Sequence, residues 1–264
     1  MCCIPTRISV RAIARDGKFL GDDIGGAQIT VRDARTKELL AQGVTTGTSG
    51  PNGPEGVMCA SLRRGQPLPD ADASVFDVCL DLDRPRLLEF TAYGPLAARQ
   101  SANTVSATQW VYPGKNIIEG NGFLLEIPGL IVQIVDPPTH YAPAVLPELH
   151  IRANVAMMCG CPIEPKSYKS KICPELPDAE QPWLPEEFEV KAIIRSPGGD
   201  RLVIPLVFTQ TRPANQPGQF TATWTPPAAG GVFEITVFAY QAAKGNTGVD
   251  VATLVAPARD VEGE

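Results

Sequence analysis

The feature that most constrains this chain is a recurring pattern of short runs in which apolar and polar residues alternate. In residues 7–14, for example, Ile8, Val10 and Ala12 alternate with polar residues such as Ser9. Successive side chains of a β-strand point to opposite faces, so a period of two predicts a strand with one buried face. Helical periodicity is almost absent, and the pattern therefore favours an all-β protein.

Glycine and proline separate these runs. The chain of 264 residues contains 24 Gly and 26 Pro, spread without a repeat, and such residues favour turns between short strands. The predicted strands of the first half lie near residues 7–14, 27–33, 38–44, 57–62, 75–82, 86–93 and 105–112. Those of the second half lie near residues 123–127, 130–135, 149–157, 188–194, 201–208, 219–224, 232–240 and 249–255. Each half therefore has enough strands for one sandwich of about seven.

The turn-rich segment 113–122 has the composition of a linker. We therefore predict two β-sandwich domains in tandem, the first over residues 1–122 and the second over residues 123–264. Residues 162–185 hold six prolines and are predicted to form a Pro-rich loop inserted in the second domain. A loop of this length inside a compact domain is usually functional or disordered.

Charge and composition exclude several partners. The formal net charge is −6 and there is no basic run, so we expect no nucleic-acid partner and no attraction to anionic membranes. No apolar run reaches the length of a membrane helix. The chain as given shows no signal peptide, and its seven cysteines are an odd number without regular spacing. Together these features favour the reducing cytoplasm.

Two stretches resemble known families. Residues 26–33, with the Thr-Thr pair that follows at Thr45 and Thr46, resemble a strand pair of the carboxypeptidase-regulatory and transthyretin-like sandwiches. Residues 231–240, followed by Asn246-Thr247-Gly248, are similar to the last hairpin of bacterial immunoglobulin-like domains. The resemblance implies immunoglobulin-like and transthyretin-like folds. It also implies a binding, spacer or structural role, because most such domains are not catalytic.

The second match also has a physical interpretation. In residues 231–240, Phe233, Ile235 and Val237 are expected to face the core. Glu234, Thr236 and Phe238 are then expected to face outward. An aromatic ring on the outward face, such as Phe238, is expected to be covered by the other domain or by a partner.

One cluster of soft side chains predicts a metal site. The sequence Met157-Met158-Cys159-Gly160-Cys161 follows a strand that carries one of the chain's two histidines. Thioether, thiolate and imidazole ligands suit copper(I) first and zinc second. The predicted ligands are His150, Met158, Cys159 and Cys161, with Met157, Cys173 and His140 as further candidates.

Other interpretations of the same residues remain open. Met157 and Cys159 also suit the core at a strand end, since both residue types are commonly buried. Cys159 or Cys161 bonded to Cys173 would form a disulfide across the Pro-rich loop. A cysteine paired with a histidine would be a catalytic nucleophile. The chain lacks a Gly-x-Ser-x-Gly elbow, however, and no other motif commits it to a reaction.

We therefore expect a non-catalytic binding or assembly module that presents loops or an interface to a protein partner or to a second copy of itself. The alternative is a copper- or zinc-binding protein, or a metalloenzyme, with a Met/Cys/His site in the second domain. Fold resemblance does not decide between them, because function depends on the site.

Overall fold

The computed structural model describes residues 4–164, 172–177, 180–209 and 218–259. Its regular structure is almost entirely β-strand, which confirms the predicted all-β class. Short 3-10 turns occur at Asp22–Ile24, Arg99–Ser101 and Pro185–Glu187. The chain divides into two compact units, which are described separately.

The first unit is a sandwich of two sheets, with strand orders β4-β1-β7 and β3-β2-β5-β6. Its strands are β1 (Ile4–Ala14), β2 (Gln28–Asp33), β3 (Leu39–Val44), β4 (Phe76–Leu82), β5 (Arg86–Gly94), β6 (Asn103–Val111) and β7 (Phe123–Ile127). β1 is antiparallel to β4 and parallel to β7.

The core of the first unit follows the predicted alternation. Ile8, Val10 and Ala12 of β1 are fully buried. Phe90 of β5 stacks on Phe123 of β7 with 4.0 Å between the ring centroids, and this contact joins the two sheets. Burying one large apolar side chain contributes roughly 1.5–3 kcal/mol, so the alternating face of each strand stabilises the sandwich.

The end of the first unit differs from the predicted boundary at residue 122. The unit continues to Gly129, because β7 pairs in parallel with β1 over residues 123–127. A parallel pairing between strands so distant in sequence leaves no local pattern that marks its partner.

The second unit is also a sandwich, with strand orders β13-β14-β10-β8 and β12-β11-β15-β16-β9. Its strands are β8 (Leu130–Asp136), β9 (His140–Tyr141), β10 (Leu149–Met157), β11 (Phe188–Arg195), β12 (Arg201–Pro205), β13 (Val207–Phe208), β14 (Gly218–Trp224), β15 (Gly231–Gln241) and β16 (Asn246–Ala256). The last residue of β10, Met157, is grouped with the first unit.

The topology of the second unit is immunoglobulin-like. In an immunoglobulin domain, strands A, B, E and D form one sheet and strands C, F and G form the other. Strands β8, β10, β14 and β13 correspond to the first set, and β11, β15 and β16 to the second. Across the core, Trp224 of β14 meets Phe233 of β15 edge to face, with 5.1 Å between the ring centroids.

Two predictions need correction, one about a loop and one about a strand. Residues 162–185 were expected to form a loop of the second domain, yet residues 172–177 and 180–182 belong to the first unit, as do residues 157–161. Residues 57–62 were expected to form a strand. Residues 57–59 form a turn instead, in which the N–H groups of Cys59 and Ala60 both donate to the carbonyl of Gly56.

Candidate functional site

The cysteine cluster lies in a tight turn at the end of β10. The N–H of Met157 donates to the carbonyl of Cys161 over 3.0 Å, and the N–H of Gly160 donates to the carbonyl of Met157 over 2.8 Å. Gly160 has a φ of +80°, which a residue with a side chain adopts only with strain. The turn therefore reverses the chain between two cysteines and brings their side chains together.

The turn is buried within the first unit. Met157, Met158 and Cys159 have no exposed surface, whereas Cys161 is half-buried. Both cysteines are free thiols, and their side chains hydrogen-bond to each other. Half-burial of Cys161 leaves a route from solvent to the pair.

Lys18 is the charged group beside this pair. Its side chain is 4% exposed, and its Nζ donates to Oδ1 of Asn52 over 2.7 Å. The backbone N–H of Lys18 donates to the sulfur of Cys159, and its ammonium acts electrostatically on both cysteines. A buried ammonium needs compensation, and the two thiols are suitable groups to provide a negative charge.

These contacts separate the acidities of the two thiols. Burial raises the pKa of Cys159, but the hydrogen bonds from Cys161 and from the backbone of Lys18, together with the Lys18 charge, outweigh burial and lower it. The pKa of Cys161 is raised, because its thiol donates to Cys159 and is itself buried. The exposed carboxylate of Asp23 raises it further. These contacts therefore favour a negative charge on Cys159 over one on Cys161.

The structure groups only part of the predicted ligand set. Met157, Met158, Cys159 and Cys161 belong to the first unit, whereas His150 and His140 belong to the second. His150 is exposed on β10, with its Nε2 3.7 Å from Oε1 of Glu148. His140 lies on β9 beside Thr253 of β16.

Cys173 is bonded to Cys59, with 5.4 Å between their Cα atoms. Its sulfur is therefore not a thiolate ligand in this structure. Its disulfide partner is Cys59, whereas the sequence had suggested Cys159 or Cys161. Within the described ranges, no three His, Cys, Asp or Glu side chains lie close enough together to hold a metal ion.

Sequence reasoning missed two participants, Lys18 and Cys59. Lys18 follows Asp16-Gly17 in a segment that has the composition of a solvent-exposed turn. Cys59 lies in a segment that resembles a strand. Each meets its partner through long-range folding, and no local signal in the sequence marks either contact.

A second candidate site is the outer face of the five-stranded sheet of the second unit. The buried residues Phe233, Ile235 and Val237 of β15 face the core, as predicted, so Thr236 and Phe238 face outward. Cross-strand pairing places Val251 beside Thr236 and Val249 beside Phe238. We call the outward-facing apolar residues of this sheet the valine face; they are Val203, Val232, Phe238, Tyr240, Val249, Val251 and Val255.

The valine face is exposed. Val249 is 47% exposed and Val251 is 43% exposed. Paired charges lie among its apolar side chains, with Arg195 Nη1 3.3 Å from Oε1 of Glu234 and the Lys191–Glu189 ion pair at 2.7 Å. Exposed apolar side chains on neighbouring strands make this face a candidate protein-binding surface.

The opposite sheet of the second unit carries a cleft of about 640 Å³ with a mixed polar and apolar lining. Its lining includes His150, Arg152, Gln219 and Thr221, and Arg152 forms an ion pair with Asp136.

Comparisons with known proteins add little to this description. No protein-family model matches the chain, and no curated protein matches it. Solved structures similar to it include fibronectin(III)-like modules of CbhA from Clostridium thermocellum, with 9% identity, a TM-score of 0.28, and coverage of 99% of this chain and 98% of that one. The chicken interferon gamma receptor alpha chain has 9% identity, a TM-score of 0.30, and coverage of 97% and 100%.

The titin domains Z1Z2, solved in complex with telethonin, have 6% identity, a TM-score of 0.24, and coverage of 98% and 100%. These scores are too low to support an argument about function. The class of the protein therefore follows from its own topology: an all-β chain of two sandwich units, the second of them immunoglobulin-like. No helix in the described residues is long and apolar enough to cross a membrane.

Proposed function

We propose that this protein is a non-catalytic assembly module whose valine face binds a second copy of the same chain. The observation that carries the proposal is the exposure of Val249 and Val251 on a continuous sheet. Burying apolar area is favourable by about 25 cal/mol per Å², so covering exposed apolar side chains of this kind lowers the free energy.

The charges around the valine face support a second copy as the occupant. The chain carries a net charge of −6, which opposes self-association in general. At this face, however, Arg195 is paired with Glu234 and Lys191 with Glu189. Local neutrality removes the electrostatic penalty of bringing two identical faces together. A two-fold interface uses the same patch on both subunits.

Sedimentation velocity on charged variants tests this proposal. Val249→Glu with Val251→Glu places two carboxylates in the valine face, and we expect this variant to remain monomeric at concentrations where the native chain dimerises. The matched control is Val207→Glu, since Val207 is 66% exposed on β13 of the opposite sheet; this variant should dimerise like the native chain. A native chain that stays monomeric throughout would contradict self-association and point to a different protein as the partner.

The finer family assignments are part of the proposal. The resemblance of residues 26–33 to transthyretin-like sandwiches and that of residues 231–240 to bacterial immunoglobulin-like domains both suit a binding or structural module. The cytoplasmic location also remains a proposal, and the Cys59–Cys173 bond is an observation against it, because disulfides are rare in that compartment.

A soft-metal protein is the second candidate function. It is favoured by the contact between the side chains of Cys159 and Cys161 in a buried turn flanked by Met157 and Met158. Copper or zinc uptake that depends on these cysteines, measured by elemental analysis of the purified chain, would support this function.

A further inference from the structure

We propose that Cys159 and Cys161 bind a single copper(I) ion as a two-coordinate bis-thiolate centre, with the buried ammonium of Lys18 as its counter-charge. This inference rests on the second candidate function and specifies its metal, its ligand number and its charge balance. It also replaces the broader ligand set expected from the sequence with two sulfurs and one compensating cation.

The ligand set selects a soft ion of low coordination number. Thiolate sulfur favours copper(I) over harder ions, and the two sulfurs are already within hydrogen-bonding contact. Zinc prefers four ligands in a tetrahedron. The described residues do not bring a third His, Cys, Asp or Glu into a group that would hold zinc. Two thiolate sulfurs without a third ligand of these four residue types in the described part of the chain therefore favour copper(I) over zinc.

Charge balance points to the same ion. Two thiolates with copper(I) carry a net charge of −1, whereas two thiolates with zinc are neutral. The positive charge of Lys18 acts on the cysteine pair, and Lys18 itself is only 4% exposed. Buried charges are stable when they are paired. The copper(I) complex therefore neutralises Lys18, whereas the zinc complex leaves the ammonium uncompensated.

The proton balance of binding is simple. Copper(I) binds thiolate sulfur, so the protons that the two thiols hold pass to solvent when the ion binds. Neither sulfur nor copper changes its oxidation state, so binding requires no oxidant or reductant. Asp23 is exposed beside Cys161, and solvent screens its charge.

The test uses the full chain with Cys2, Cys3 and Cys79 replaced by serine, so that the remaining free thiols are those of the pair. The chain is titrated anaerobically with copper(I) against a chromophoric copper(I) chelator, and in parallel with zinc. We expect one copper(I) per chain and two sulfur neighbours by X-ray absorption. Zinc should bind more weakly.

Substitutions distinguish the two proposed ligands from the lysine that supplies the counter-charge. Cys159→Ser and Cys161→Ser should each abolish binding, whereas Lys18→Met should keep the stoichiometry but weaken binding by about 10- to 100-fold, as for other groups that support a metal site. Lys37→Met is the matched control, because Lys37 is exposed and paired with Glu89; it should bind copper(I) normally. Circular dichroism of each metal-free variant checks folding, and the sulfur count of the unmutated pair tests the proposal even if a variant unfolds.

The outcomes distinguish this inference from the function on which it rests. Zinc bound in preference to copper(I), with four ligands, would overturn the two-coordinate centre and keep the soft-metal function. Copper(I) uptake that survives loss of both cysteines would overturn the site. Absence of uptake of either metal, including the case in which the pair forms its own disulfide, would overturn both.

Discussion

The backbone N–H of Lys18 donates a hydrogen bond to the sulfur of Cys159, although the two residues come from distant segments of the chain. The same lysine carries its ammonium into the buried turn and anchors it on Asn52. One residue therefore stabilises a negative charge on Cys159 in two ways, by a hydrogen bond from its backbone and by the charge of its side chain.

Replacing Lys18 with methionine should raise the pKa of Cys159. The substitution removes the favourable charge but keeps the backbone hydrogen bond and the volume of the side chain, so the shift measures the charge alone. Thiolate absorbance as a function of pH, in a chain with Cys2, Cys3 and Cys79 replaced by serine, would record it. Identical titration curves before and after the substitution would show that the ammonium does not act on the thiol.

The Cys59–Cys173 bond closes a loop across a sequence separation of 114 residues. A crosslink over a loop of this length restricts the unfolded chain, and its removal costs on the order of 4 kcal/mol. Cys173→Ser should therefore lower the free energy of unfolding in urea by about that amount, whereas Cys79→Ser, which replaces an exposed free thiol, should change it little. Equal stabilities for the two variants, or a peptide map that shows both thiols free, would contradict the crosslink.

Asp33 should make the first unit sensitive to acid. Its Oδ1 accepts the N–H groups of Thr36 and Arg35, each over 2.9 Å, and these bonds lower its pKa below the ordinary value of 3.8. A lowered folded-state pKa gives stability that is present above the unfolded pKa and lost as the pH falls through the folded one.

In Asp33→Asn, the free energy of unfolding should therefore fall less steeply below about pH 4, the region of an ordinary aspartate pKa. Denaturation curves recorded at several pH values would measure this. Thr36→Val keeps both backbone donors and should retain most of the dependence. An equally steep loss of stability in Asp33→Asn would assign the acid sensitivity to other groups.

Gly248 marks a close approach between β16 and β8. A Cβ atom at this position would lie 2.2 Å from the carbonyl oxygen of Leu130, and a backbone atom cannot move aside cheaply. Gly248→Ala should therefore lower the free energy of unfolding by about 1–3 kcal/mol. Gly198→Ala is the matched control, since its nearest neighbour, Oγ of Ser196, lies at 3.7 Å. Equal melting temperatures for the two variants would mean that the strands separate without cost.

Much of the fold could be predicted from the sequence, because strand formation leaves a local signal. The alternation in β1 and β15 predicted which side chains are buried, and Phe238 was correctly expected to face outward. Pairing leaves a weaker signal. The parallel partner of β7, the disulfide partner of Cys173 and the approach of Lys18 to Cys159 all depend on long-range contacts that no local pattern encodes.

In the candidate sites, too, the local features could be predicted from the sequence and the long-range contacts could not. The cluster at residues 157–161 was visible from its unusual composition, and the structure brings two of its cysteines together. The ammonium beside them was not visible, because Lys18 lies in a turn that resembles any exposed turn. The valine face was indicated by one outward aromatic residue, but its extent depends on the pairing of β15 with β16.

The most direct test of the assembly proposal is the methyl NMR spectrum of the native chain, recorded from dilute to concentrated solution. The proposal predicts that the methyl signals of Val249, Val251 and Val255 shift together as concentration rises. Those of Val145, which is 75% exposed outside the valine face, should stay fixed. Valine-face signals that do not change at any concentration would contradict self-association through this sheet.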